Sequence, residues 1–405
     1  MESKPIEGRE LENSRSGGYT LVELVVVMLV FGVVMSLISA SFTRIVASSG
    51  HLIKSAETDI GGLIGLELLR VDLANAGFGL AWGIGQGVTY SEAGTHRVNG
   101  NPATDAAAFN DAPGNPPQAF WMADNKGVNS SDYLVLKGTS LARNDTCRSW
   151  SFLTYSSVSG VVKPSKAAGE LVPGKGDRVI VVNSGMRGGE AFRELVTLGS
   201  TFWFTFDRID TIPAAFLPQR REERYLVYGI SPAPENADDL ITFPFNRTDY
   251  YLGSSDRRSA LCAPGTAVLY KATINQDGTI SPMPILDCMA DLQVIFMMDS
   301  SNDGSLTPLS DISRTTLKEL FGIDDPAKVL REHVKEVRVY VLAQQGKKDI
   351  TFNYPVADPR QVFVLGDRVN GKAWSQGELA ASFGAQWQHY HWKVFTIAVQ
   401  PNNLH

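Results

Sequence analysis

The chain has 405 residues, with 37 Lys and Arg against 43 Asp and Glu for a net charge of −6. That length supports one large or two ordinary globular domains at roughly 150 residues each. The basic residues are scattered among the acids and form no dense patch, so a solvated surface is expected and nucleic acid is not an expected partner.

The chain opens on a hydrophilic stretch in which Lys4, Arg9 and Arg15 face Glu2, Glu7, Glu10 and Glu12. A cleaved secretory signal would have a positive start and an apolar stretch of only ~7 to 15 residues. Here Ser16-Gly17-Gly18-Tyr19-Thr20-Leu21-Val22-Glu23 leads into Leu24 to Phe42, 19 residues without a formal charge. About 20 residues cross the hydrocarbon layer of a bilayer, so this segment can span. Glu23 lies just inside it, where a charge costs about 2.5–3.5 kcal/mol on insertion scales. A buried carboxylate is tolerated when a cation neutralises it.

This arrangement resembles the class III signal of type IV pilins and pseudopilins: a hydrophilic leader ending in Gly, a bulky residue, Thr-Leu-x-Glu, then an apolar helix. Gly18, Thr20, Leu21 and Glu23 match, and Tyr19 stands where Phe is commonest. The resemblance implies that a prepilin peptidase cuts after Gly18 and that the new amine on Tyr19 is methylated. It also implies that Glu23 pairs with that amine on a neighbouring subunit. Loss of the leader, 1–18, would leave 387 of the 405 residues, more than a major pilin needs.

The membrane segment, about 21–42, is predicted to continue as one helix to about Asn75, making 19–77 a single element. Ile60, Ile64, Leu68 and Val71 recur at helical spacing on one face, and Gly77 is placed to end it. Gly50, Gly61, Gly62 and Gly65 weaken such a helix by up to ~1 kcal/mol each relative to Ala. The stretch 78–119, rich in Gly, Ala, Asn and Pro, reads as irregular loop.

Short β-favouring runs follow: Asp132 to Lys137, Ser149 to Ser156, Asp177 to Asn183, Thr201 to Phe206, Arg224 to Ile230, Ala267 to Ile274, Asp291 to Met298, Glu336 to Gln344 and Trp392 to Gln400. Ser313 to Phe321 and Pro326 to His333 are the helix candidates among them. The expected fold class is α+β, a long N-terminal transmembrane helix followed by a large, mostly antiparallel β domain over 120–405. Val268 to Ile274 and Ile280 to Leu286 look like hairpin strands around Gln276-Asp277-Gly278. That hairpin brings Cys262 and Cys288 together as the favoured disulfide in an oxidising compartment, leaving Cys147 free or as a competitor.

Further segments resemble PilW-type minor pilins. They are Leu68 to Phe78 with its acidic residue before an Ala-Gly-aromatic turn, Leu286 to Val294, Val334 to Val339, and the closing Trp392 to Thr396. Phe120 to Pro264 carries this likeness least. It implies a minor pilin of a type IV pilus that primes or supports assembly near the tip. Its partners would be prepilin peptidase, the major and other minor pilins and the inner-membrane assembly platform. The chain would be a single-pass inner-membrane protein with a periplasmic globular domain, extracellular once in the pilus. A minor pseudopilin of type II secretion or DNA uptake is one alternative, and a binding or enzymatic domain tethered by a pilin signal is another.

Asp299-Ser300-Ser301-Asn302-Asp303-Gly304 places oxygens at alternate positions before a Gly, as the start of a calcium loop does. Asp299, Ser301 and Asp303 are therefore candidate calcium ligands, the one cofactor the sequence raises. Ser310 stands where the full motif has its Glu, and a plain Asx turn is the competing reading. Gly169 to Lys175 approaches phosphate-loop spacing, but Gly176 replaces the Ser or Thr and a strand follows. His389 and His391 fall two apart on an expected strand, on one face, with no third metal ligand. With no Gly-x-Ser-x-Gly elbow and no nucleophilic Cys signature, no enzymatic activity is expected. Gly18→Val is expected to leave an unprocessed precursor visible by intact mass, and a normally trimmed product would rule out cleavage at this site.

Overall fold

A computed structural model describes residues 21–404 apart from 143, 156–161, 166–172, 208–210, 221, 234–239, 255–260 and 367–368, with the backbone alone described at 40–63, 154 and 162–165. By contacts the chain divides into two units, Met1–Lys54 and Ser55–His405. Helix α1 (Leu21–Asn75) begins in the first and ends in the second. Its Leu21–Ser39 stretch is apolar all round and wholly unburied. Val is a poor helix former in water, but in hydrocarbon a helix satisfies every backbone group internally, which favours it over any open alternative.

Within the second unit, the last turns of α1 bury Leu66, Leu69 and Leu73, and Ala76 just after the helix is buried with them. The stripe expected from spacing is not the buried one. Ile64 and Val71 are exposed, Leu68 is half-buried, and the Ile60 side chain lies outside the described set. Two apolar stripes run along this helix at helical spacing, and features other than hydrophobicity choose between them. At Gly65 a Cβ would come within 2.9 Å of the Ile285 carbonyl oxygen, so Gly permits the close approach of helix to strand. Asp72, also buried, turns toward Lys271 and Tyr250. Gly77 then ends the helix at φ +85°, its N–H donating to the Lys137 carbonyl at 2.9 Å.

The strands follow in chain order. They begin with β1 (Phe120–Ala123), β2 (Tyr133–Gly138), β3 (Trp150–Tyr155), β4 (Val162–Ser165), β5 (Arg178–Arg187), β6 (Glu190–Leu195), β7 (Trp203–Thr205) and β8 (Arg224–Ser231). Next come β9 (Asn246–Gly253), β10 (Ala267–Ile274), β11 (Ile280–Met298) and β12 (Thr307–Leu309), then α2 (Arg314–Phe321) and α3 (Pro326–His333). The chain closes with β13 (Val334–Gln345), β14 (Phe363–Gly366), β15 (Gly371–Trp374), α4 (Gln376–Phe383) and β16 (His391–Val399). The larger sheet runs β1-β2-β9-β10-β11-β13-β16 with β12 on β11, the second runs β4-β3-β8-β5-β6 with β7 on β5, and β14-β15 is a separate hairpin. The fold is α+β, an apolar N-terminal helix followed by a large antiparallel β domain.

Short helices obey their caps: the Ser313 and Asp325 side chains accept from the Thr316 and Lys328 amides, and Gly322 closes α2 at φ +69°. β9 was hidden from propensity. Its sequence, Asn-Arg-Thr-Asp-Tyr-Tyr-Leu-Gly, holds two charges, yet every residue in it is buried.

The pleat of β2, β9 and β10 explains how. On one face Leu134, Leu136, Tyr250 and Leu252 join the cluster that includes Leu66, Leu69 and Leu73. On the other, Tyr133, Val135, Tyr251 and Ala272 pack on Val98 and Phe109. Those two residues belong to the stretch before β1, which folds into 3-10 turns at Val98–Gly100, Pro102–Thr104 and Ala106–Phe109. Lys137 and Arg247 sit directly opposite each other on that second face, both fully buried. Like charges so placed repel, and the turn-rich stretch supplies their neutralisation. Glu92 lies 2.6 Å from Lys137 and 3.5 Å from Arg247, and Asp111 lies 2.7 Å from Lys137. Arg247 also holds Asp249 in a two-pronged contact at 2.8 Å on each prong. Burial by itself would lower the Arg247 pKa, but Asp249 and Glu92 hold it above the usual arginine value.

On the helix face, Lys271 and the Tyr250 hydroxyl meet the Asp72 carboxylate, the latter at 2.7 Å. Removing one partner of a buried pair typically costs about 3–5 kcal/mol. Lys271→Met is expected to lose that much in urea unfolding followed by Trp fluorescence. The double variant Asp72→Asn/Lys271→Met is expected to recover most of it, and equal losses in both would show that the pair is not the cause.

Candidate functional site

The N-terminal face of α1 is built from one carboxylate and a sleeve of apolar side chains. Glu23 is exposed in the first described turn of the helix. From Leu21 to Ile38 the large apolar side chains are 44–81% exposed. A soluble helix shows one apolar stripe, whereas a helix apolar on every side requires lipid or other apolar helices around it. Gly18 and Tyr19, with the whole 1–18 leader, lie outside the described residues.

The second geometric feature is covalent. Cys262 and Cys288 are joined by a disulfide, with Cα atoms 5.0 Å apart and a sequence separation of 26. The β10–β11 hairpin positions them. Its register shifts between the Ala267–Met289 and Leu269–Leu286 pairs, and Cys288 occupies the resulting bulge at φ +58°. Cys147 is free and buried. Burial pushes its thiol up to about 12 against the hydrogen bonding of Asn144, so it is an unreactive group.

Residues 13–39 match the family model of the prokaryotic N-terminal methylation motif. The match supports a type IV pilin-like protein. It implies processing by prepilin peptidase and association with a membrane, for a pilin or a pseudopilin. No curated protein and no solved structure matches the chain.

The remaining sequence candidates of this pilin-like chain fall in different places. Asp299, Ser301 and Asp303 share one loop between β11 and β12. Asp303 accepts from the Ser305 amide at 2.8 Å, and that bond together with the Ser301 side chain holds its carboxyl below the usual carboxylate range. Of the phosphate-loop look-alike, 169–172 lie outside the described residues, while Gly174 donates to Asp177 at 2.7 Å in a turn that enters β5. The two histidines do not share a strand face. His389 ends the 3-10 turn Trp387–His389 and bonds the Phe352 carbonyl at 2.7 Å, while His391 opens β16 and stacks on the Phe352 ring. The turn intervenes because Trp387 and Trp392 both bury their indoles beneath α4 and the hairpin.

The structure also assembles a cleft of about 620 Å³ that no spacing announces. The Arg193 and Arg331 guanidiniums lie 4.8 and 4.3 Å from the Trp82 ring centroid, with Lys328, Glu194 and Glu332 around them. Its parts come from the turn-rich stretch, β6 and α3, so only tertiary packing brings them together. For the disulfide, alkylation under denaturing conditions is expected to add one group to the unreduced protein and three after reduction. Cys288→Ser is expected to cost about 3 kcal/mol in urea unfolding.

Proposed function

We propose that this chain is a PilW-like minor pilin of a type IV pilus, which primes or supports assembly near the filament tip. The observation that carries the reading is the exposed apolar sleeve Leu21–Ser39 with Glu23 in its first turn, borne on the same helix as a large β domain. Such a sleeve is stable in lipid, and it is equally stable among other apolar helices. A subunit therefore passes from membrane to filament core without exposing that surface to water.

Glu23 is the directional element. In an apolar surrounding its carboxylate is favourable only beside a cation, and the amine of Tyr19 on the neighbouring subunit, freed by cleavage after Gly18, supplies one. The pair sets axial register as the sleeve packs. The precursor is held in the inner membrane with its β domain in the periplasm. Prepilin peptidase, the assembly platform and the major and other minor pilins are its partners. The size of the β domain favours a low-copy subunit over the bulk of a filament shaft. Glu23→Ala is expected to be processed and membrane-bound yet reduced several-fold in sheared pili by quantitative immunoblot. Normal incorporation would overturn the role given to the carboxylate.

A further inference from the structure

The loop Asp299–Gly304 leaves β11 under tight control. The Asp299 amide donates to the His333 carbonyl at 2.8 Å, and the ring Nδ1 of His333 donates to the Asp299 carbonyl at 2.7 Å. His333 is itself buried at the end of α3 with its ring against Phe321. The backbone of Asp299 is therefore fixed from both sides.

Its carboxylate is turned across the loop. Oδ2 accepts from the Gly304 amide at 3.1 Å. Oδ1, on a residue only 7% exposed, is buried and has no hydrogen-bond partner. A buried polar atom left unmatched costs about 1–3 kcal/mol, more when charged, so its presence calls for a partner. Asn302 at φ +55° and Gly304 at φ +84° fold the loop back. The same loop carries a second carboxylate, Asp303, whose Oδ1 accepts from the Ser305 amide at 2.8 Å.

We infer that this loop binds a calcium ion through the free Oδ1 of Asp299, the Asp303 carboxylate and the oxygens of Ser301 and the loop backbone. The donor set is all oxygen, which suits a hard cation better than zinc or the softer metals. Among the described residues no three His, Cys, Asp or Glu side chains gather to hold a metal. The site thus has two carboxylates and completes its shell with neutral oxygens and water in an irregular arrangement, which suits calcium with its 6–8 flexible ligands better than magnesium, which demands near-ideal octahedral geometry. With Ser310 in place of a closing Glu, binding falls in the weak range of extracellular modules, roughly 10⁻⁴–10⁻³ M. Bound calcium ties the end of β11 to α3 through His333. This binding does not depend on the assembly role.

The test uses the full chain, purified in detergent, stripped with chelator and titrated with calcium chloride or magnesium chloride in a calorimeter. One calcium per chain is expected, bound at least about tenfold more tightly than magnesium. Asp299→Asn and Asp303→Ala are each expected to weaken it by about tenfold or more. Because Asp299 is buried and its variant is at risk of misfolding, the exposed Asp303→Ala carries the decision. Absence of calcium binding up to about 10 mM, equal affinity for magnesium, or unchanged binding in Asp303→Ala would each overturn the site.

Discussion

Lys137 and Arg247 face each other across the β2–β9 ladder, both removed from water, and the order of the β domain follows from how they are neutralised. A single buried cation is costly and two side by side are worse, so carboxylates must arrive with matching geometry. Asp249 comes from the same strand as Arg247, but Glu92 and Asp111 come from a stretch with no strand of its own. That stretch is held against the sheet by charge as well as by Val98 and Phe109, which is why a Gly- and Pro-rich segment lies ordered on a buried face. The same logic operates on the opposite face, where Asp72 brings the end of α1 onto Lys271.

One helix thus carries two kinds of carboxylate. Asp72 finds its cation within the chain and fixes the helix end to the sheet. Glu23 stands among exposed apolar side chains, in surroundings where only a partner suited to a low-dielectric site is favourable. The first makes a domain, and the second, in the role proposed here, makes an assembly.

The apolar run, the end of α1 at Gly77, the β10–β11 hairpin with its flanking cysteines and the capped α2 and α3 were legible because each is a local signal: length, a left-handed position, a turn dipeptide, a cap. Structure and local pattern part where the local signals are ambiguous or silent. Ile64 and Val71 fit helical periodicity as well as Leu69 and Leu73 do, and only Gly65 and Asp72 say which stripe meets the sheet. β9 failed a propensity reading because it carries Arg247 and Asp249, and the burial of that pair also depends on Glu92, far away in sequence. The His389 and His391 pair was broken by a turn that two buried indoles impose.

What the sequence by itself determined is the N-terminal element, since a span of hydrocarbon needs only an apolar length, and that length and the Glu23 that precedes it are written in consecutive residues. The alternation of short β runs also settled the α+β class, because pleat periodicity is a local property. Only the tertiary structure decided which helix face is buried, how Lys137 and Arg247 survive out of water, and that Asp299 keeps a buried oxygen without a hydrogen-bond partner. These depend on groups brought together from distant parts of the chain, and electrostatic compensation between such groups leaves no periodic trace in sequence.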